Sequence, residues 1–241
     1  MSDLDFQVEE GQIVSVIGPN GAGKTTLFNM ITGFYHPDRG TISFDGQELA
    51  GSQPFEVTRA GIARTFQNIR LFGDMTVKEN LIVAGQCRSK TSLFEAILKM
   101  PSVRRFESEL DKKIVTLLGT FELIDKLNLK ASALSYGEQR RLEIARALIT
   151  EPRFLLLDEP TAGMNPQESE SVMELIARLR NMSITVLLIE HNMNVVMGIS
   201  DRIAVMDHGA KIAEGNAGEI QSNEAVIAAY LGDAKFEYAK H

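Results

Sequence analysis

The sequence predicts an α/β fold in which a parallel sheet carries an antiparallel β flap and an inserted group of helices. Three observations predict it. Short apolar runs at residues 12–17, 154–157 and 184–189 alternate with segments of helical apolar spacing, the pattern of strands buried on both faces and joined by crossover helices. A glycine-rich stretch, residues 18–25, falls between the first of those runs and a helical pattern at Leu27, Met30, Ile31 and Phe34. From Met75 to about Lys130 the apolar residues keep helical spacing and no strand pattern occurs.

Leu4, Phe6 and Val8 alternate with Asp5, Gln7 and Glu9, so the chain is expected to open as an edge strand. After the first helix, Pro37-Asp38-Arg39-Gly40 marks a turn. Ile42 and Phe44 then alternate with polar residues up to the turn pair Asp45-Gly46, which predicts a short antiparallel flap. Residues 61–66 return the chain to a core strand, with Gln67 at its end. In the helical stretch Leu110, Ile114, Leu117, Leu118 and Phe121 form one face, opposite Glu109, Asp111, Lys112 and Lys113. Ser135-Tyr136-Gly137-Glu138 reads as a capping box that starts a helix with Leu142, Ala145, Leu148 and Ile149 inward. Asn165, Pro166 and Glu168 start another, with Val172, Leu175, Ile176 and Leu179 inward. A hairpin at residues 203–206 and 211–213 turns at His208-Gly209, and a short helix near residues 225–231 precedes a charged tail. The expected division is 1–74 for the first part of the core with its flap, 75–132 for the helical insertion, and 133–241 for the rest of the core.

Gly18-Pro19-Asn20-Gly21-Ala22-Gly23-Lys24-Thr25 fits the phosphate-binding pattern G-x-x-x-x-G-K-[ST] at every fixed position. Its glycines let backbone amides turn inward, the helix N-terminus adds unpaired N–H groups, and Lys24 adds a full charge for the outer phosphates. Thr25 places a hydroxyl where a phosphate-bridging Mg²⁺ needs an oxygen ligand. In an open parallel sheet, ligands bind beyond the carboxyl ends of the strands. Gln67, Asp158-Glu159 and His191 are expected at that edge with the loop. There Asp158 would bind Mg²⁺ directly or through water, Glu159 would polarise an attacking water, His191 would reach the γ-phosphate, and Gln67 would order water or Mg²⁺. Standing alone, the acidic pair would read as a strand cap and the histidine as structural.

Taken together, these segments resemble those of ABC transporter ATPases. Leu134-Ser135-Tyr136-Gly137-Glu138-Gln139 is similar to the LSGGQ-type signature, and it lies between the Walker A stretch at residues 18–25 and a Walker B stretch at residues 154–159. Gln67 matches the family's Q-loop and His191 its H-loop. More narrowly, residues 61–72, Ala162-Gly163-Met164-Asn165-Pro166 and Ala229-Tyr230-Leu231-Gly232 resemble the branch that takes up branched-chain amino acids. The resemblance implies a P-loop NTPase (RecA-like) core, with ATP held by Gly18 to Thr26 of one subunit and by Ser135 and Gly137 of another. It implies a head-to-tail dimer with an identical or paralogous subunit, two transmembrane permease partners, and, indirectly, a substrate-binding protein. It places the chain in the cytoplasm, on the inner face of the cell membrane. Three departures stand out. Tyr136 replaces the usual glycine, Asn165 stands where many relatives carry an aspartate, and the aromatic that stacks on adenine lies further upstream than the chain extends. Phe6 is too near Lys24 in sequence to replace it, so weak discrimination between ATP and GTP is expected.

The bulk properties agree with these readings. A formal net charge of −7 argues against nonspecific nucleic-acid binding, and the single cysteine, Cys87, leaves no intrachain disulfide framework. No apolar run approaches the roughly 20 residues that span a bilayer, and the first five residues lack the positive start of a signal peptide. Two other functions share parts of the pattern: an ABC ATPase of lipid or lipopolysaccharide export, and a soluble ABC ATPase acting on DNA or ribosomes. The second usually carries long coiled-coil insertions or tandem ATPase domains, which this sequence lacks.

Overall fold

The computed structural model describes residue 1, residues 4–89 and residues 101–230. In chain order the elements are β1 (Ile13–Ile17), α1 (Lys24–Ile31), β2 (Ser43–Phe44), β3 (Gln47–Glu48), α2 (Pro54–Ala60) and β4 (Ile62–Arg64). Then come α3 (Val77–Gly85), α4 (Pro101–Thr120), α5 (Tyr136–Leu148), β5 (Phe154–Asp158), α6 (Pro166–Asn181) and β6 (Thr185–Ile189). The chain continues with α7 (Met193–Ile199), β7 (Arg202–Asp207), β8 (Ala210–Gly215) and α8 (Ala217–Gln221), and residues 224–230 are helical. Two compact units emerge: Met1–Gln67 with Arg153–His241, and Asn68–Pro152.

In the first unit the strands run in the order β4-β5-β6-β1-β7-β8. All neighbours are parallel except the β7–β8 hairpin. β1, β5 and β6 are buried along their whole length, as their nearly continuous apolar runs dictate. Alternate side chains serve opposite faces. Val14 and Val16 join Leu156, Leu187 and Ile189 in a cluster with Leu27 and Phe28 of α1. Ile17 instead joins Ile203, Val205, Val196, Ile220 and Val226. The flap closes on Asp45 and Gly46, both at positive φ, the backbone that an Asp-Gly hairpin turn requires. Phe44 stacks on Phe154 at 6.1 Å, which fastens the flap to the core.

Several expectations are corrected here. Residues 4–8 form no strand: Leu4, Phe6 and Val8 turn toward the core cluster as their alternation predicts, without entering a sheet ladder. Phe34 lies past the end of α1 and is half exposed, whereas the buried aromatic of that helix is Phe28. β4 ends at Arg64, so Gln67 sits three residues beyond the strand; Thr65 N still donates to Leu156 O at 2.9 Å before the chain leaves the sheet. The helices α2 and α7 carry too few turns to show a periodic pattern, and neither was expected. Leu231, Gly232 and the charged tail lie outside the described residues, as do residues 90–100 of the expected insertion.

The second unit is helical. Thr76 caps α3, with Glu79 completing the box. Leu110, Ile114, Leu118 and Phe121 are buried and Leu117 partly so, as the spacing predicts. At Gly85 a Cβ would lie 2.5 Å from Leu110 Cδ1, so its absence lets α3 and α4 approach closely. Asn80, fully buried, accepts from Phe72 N at 2.9 Å and donates to Phe72 O and Thr76 O at 3.0 Å, pinning the turn before α3. The unit runs from Asn68 to Pro152 and includes α5, where the sequence suggested a division at 75 and 132. The physical reason is that α3 packs against both α4 and α5.

Candidate nucleotide site

Register brings three chain segments to one edge of the sheet. Val16 pairs with Ile189, and Asp158 pairs with Ile189 from the other side. The residues that follow β1, β5 and β6 therefore emerge together. After β1, Gly18 turns at φ 149, and a Cβ there would meet Met206 O at 2.0 Å, so only glycine fits. Gly23 takes the N-cap of α1 at φ 101 and supplies no side-chain acceptor. The first amides of α1 are thus left for a ligand.

Lys24 is buried, and its ammonium donates to Gly18 O at 2.7 Å and Pro19 O at 2.9 Å. Burial lowers its pKa, opposed by the nearby carboxylates of Glu159 and Asp158. Thr25 is exposed beside it, while Pro19 and Ala22 are buried and Asn20 and Gly21 are exposed.

Glu159 sits at φ 48, with its amide donating to Ile189 O at 2.9 Å. Gln67 Nε2 donates to its Oε2 at 2.7 Å, and His191 Nε2 lies 3.0 Å from its Oε1. The three polar groups expected at the sheet edge thus meet on one carboxylate. Asp158 is buried and accepts from Arg64 Nη2 at 2.9 Å through Oδ2. Arg64 also donates to Asn29 Oδ1 of α1 at 2.7 Å, and its guanidinium lies over the rings of Phe28 and Phe66 at 5.4 and 5.1 Å.

In the second unit Ser135 is the N-cap of α5, accepting from Glu138 N, and Glu138 reaches back to Ser135 N at 3.0 Å. Ser135 is exposed and Gly137 is buried in the first turn. Tyr136 projects outward, with Arg140 lying 6.0 Å from its ring centroid. Asn165 caps α6 through a bond from Glu168 N at 2.9 Å. That cap explains why asparagine serves there as well as aspartate would locally.

Sequence reasoning gave no individual role in the site to Arg64, Asn29, Glu190 or Tyr230. A charged residue inside a short apolar strand was the available signal for Arg64. Tyr230 packs on the cluster around Ile17, and burial raises its phenol pKa against a hydrogen bond with the Gly18 backbone. Nothing in a local sequence pattern marks that contact.

A phosphate loop at a helix N-terminus after β1, with an acidic pair at the end of β5, one strand removed from β1 across β6, defines a nucleoside-triphosphate hydrolase of the P-loop class. The comparisons narrow the class. Residues 1–162 match the ABC transporter family model, and residues 210–235 match that of the branched-chain amino acid ATP-binding cassette transporter. The chain belongs to the ABC transporter ATPase family, whose members bind and hydrolyse ATP. It is 51% identical over 235 residues to the high-affinity branched-chain amino acid transport ATP-binding protein LivG of Salmonella typhimurium, covering 97% of this chain and 92% of that one. It is 48% identical, with the same coverage, to the corresponding BraF protein of Pseudomonas aeruginosa. Among solved structures, the ADP conformation of an ABC transporter cassette superposes with TM-score 0.80 at 34% identity, covering 93% of this chain and 89% of that one. A dimeric post-hydrolysis cassette bound to ADP and phosphate superposes with TM-score 0.73 at 27% identity, covering 88% of each. Among the described residues no helix is long and apolar enough to cross a membrane.

Proposed function

We propose that this chain is the ATP-hydrolysing subunit of an importer of branched-chain or related amino acids. The observation that carries the cargo is the match of residues 210–235 to the branched-chain model, joined to near-full-length identity with proteins named for that transport. Two copies, identical or paralogous, would sandwich ATP between residues 18–26 of one and Ser135 and Gly137 of the other. The dimeric relative supports that arrangement. Permease partners would hold the dimer at the cytoplasmic face of the membrane, and a binding protein would deliver cargo to them.

In this reading Lys24 exchanges its two loop carbonyls for phosphate oxygens, and the uncapped end of α1 supplies further donors. Glu159 polarises the attacking water, while Gln67 and His191 fix the orientation of its carboxylate. The donors fit Mg²⁺. Thr25 and Asp158 are hard oxygen ligands, and among the described residues no cluster of three His, Cys, Asp or Glu could hold an ion unaided, so most of its shell must come from phosphates and water. Held by Thr25 and Asp158, Mg²⁺ would supply charge neutralisation for the phosphates. Asp158 would offer Oδ1, because Oδ2 is engaged by Arg64.

Glu159→Gln tests the reading. The variant should bind ATP, nearly cease hydrolysis and accumulate as an ATP-bound dimer in size-exclusion chromatography. In cells lacking the wild-type copy it should abolish uptake of labelled leucine at normal protein levels. Full turnover in the variant would return Glu159 to a strand cap. Unchanged leucine uptake, with ATPase activity lost, would refute the cargo and favour lipid export.

A further inference from the structure

Glu190 directly follows β6 and is 4% exposed, yet the hydrolytic reading gives it no task. Among the described residues its carboxylate meets donors and no cation. Oε1 accepts from Thr161 N at 3.0 Å and from the Thr161 hydroxyl, and Oε2 accepts from His191 N at 3.0 Å and from Asn192 N at 3.4 Å. One oxygen thus serves the segment behind Glu159, and the other serves the segment of His191. A buried carboxylate is costly unless its lone pairs are filled, and here peptide and hydroxyl donors from two separate segments fill them. The turn it grips continues through Ala162 N to Glu159 O and Met164 N to Thr161 O, both at 3.2 Å. Glu159 itself holds a left-handed φ that a side chain disfavours, so its backbone needs anchors on both sides. Ile189 O is one anchor and Glu190, through Thr161, is the other.

We propose that Glu190 is a positioning residue that clasps the backbone behind Glu159 to the backbone of His191. The carboxylate and imidazole are thereby kept 3.0 Å apart and move as one body. The inference rests on the reading of Glu159 as the group that polarises water.

The test uses the full chain with Glu190→Gln, which turns one acceptor oxygen into a donor facing N–H groups. The milder Thr161→Val removes only the hydroxyl donor. Hydrogen exchange should rise together in residues 159–164 and 189–194 of Glu190→Gln, with residues 18–25 unchanged. Its kcat should fall about 10- to 100-fold while KM for ATP stays within about twofold, and Thr161→Val should lose less. On a Glu159→Gln background, Glu190→Gln should add no further loss, because residues acting as one unit are non-additive. Wild-type turnover in Glu190→Gln, exchange rising in only one of the two segments, or a further loss on the Glu159→Gln background would overturn the proposal. If Glu159→Gln alone keeps its turnover, the hydrolytic reading fails instead, and the exchange data still decide whether the clasp exists.

Discussion

Arg64 places a guanidinium, 6% exposed, on a short core strand between the carboxylate of Asp158 and the amide of Asn29. It thereby ties β4 and β5 to the helix that begins at the phosphate loop. A buried ion pair adds little net stability, but removing one member strands the other charge, at about 3–5 kcal/mol. Arg64→Met should therefore destabilise the nucleotide-free protein by about that much, read as a shift in the urea midpoint. Adding Asp158→Asn removes the stranded charge, so the double variant should be more stable than Arg64→Met alone, with a coupling of about 0.5–3 kcal/mol. Purely additive losses would mean that the pair contributes nothing as a pair. The role of Arg64 was hidden in the sequence because its partners lie 35 and 94 residues away. By contrast the residues of the phosphate-binding pattern are contiguous, and its flanking strand and helix are legible beside it in the sequence.

At the scale of elements, α5 carries a second buried pair. Arg140 Nη1 lies 2.7 Å from Glu143 Oε2, with side chains 0% and 2% exposed, and Glu143 Oε1 accepts from Arg70 N at 3.2 Å. The helix that starts at the signature thus holds the backbone that follows the Q-loop residue by three positions. Burial raises the Glu143 pKa above its ordinary 4.5, against the pull of Arg140. An acid whose folded pKa is raised binds its proton longer in the folded chain, so its contribution is fully present below the unfolded value and is lost as pH rises through the folded one. The stability difference between wild type and Glu143→Gln should therefore shrink as pH rises above 4.5, measured by urea unfolding at a series of pH values. A difference that grows with pH would show that Arg140 outweighs burial. The elements themselves were largely legible. The buried strands, the capping boxes at Ser135 and Asn165, and the hairpin turns at Asp45-Gly46 and His208-Gly209 are all set by short-range chemistry. Illegible were features fixed by distant partners. The alternation at residues 4–8 gave the correct faces and no ladder, because a strand needs a neighbour that its own sequence does not contain.

Over the whole molecule, every group read here as touching the triphosphate within one subunit belongs to the first unit, from Gly18 through Gln67 to Glu159 and His191. The signature helix belongs to the second unit. Ligand binding stabilises only the folded state that it contacts, by RT ln(1 + [L]/Kd). ADP is the suitable probe, because it binds the phosphate loop and is not consumed. At about a hundred times its Kd it should add about 2.7 kcal/mol. For a cooperative unit of this size that corresponds to an upward shift in the melting midpoint of about 5–11 °C. Where calorimetry resolves two transitions, the shift should fall on one of them, and a tryptic map taken between the two should show residues 68–152 cleaved first when ADP is present. Lys24→Ala should melt near the wild-type midpoint without nucleotide, since its ammonium bonds only loop carbonyls, and should lose the ADP shift. A single transition that rises as a whole with ADP would show that the two units unfold as one cooperative body, and a retained shift in Lys24→Ala would remove the phosphate loop from the binding site.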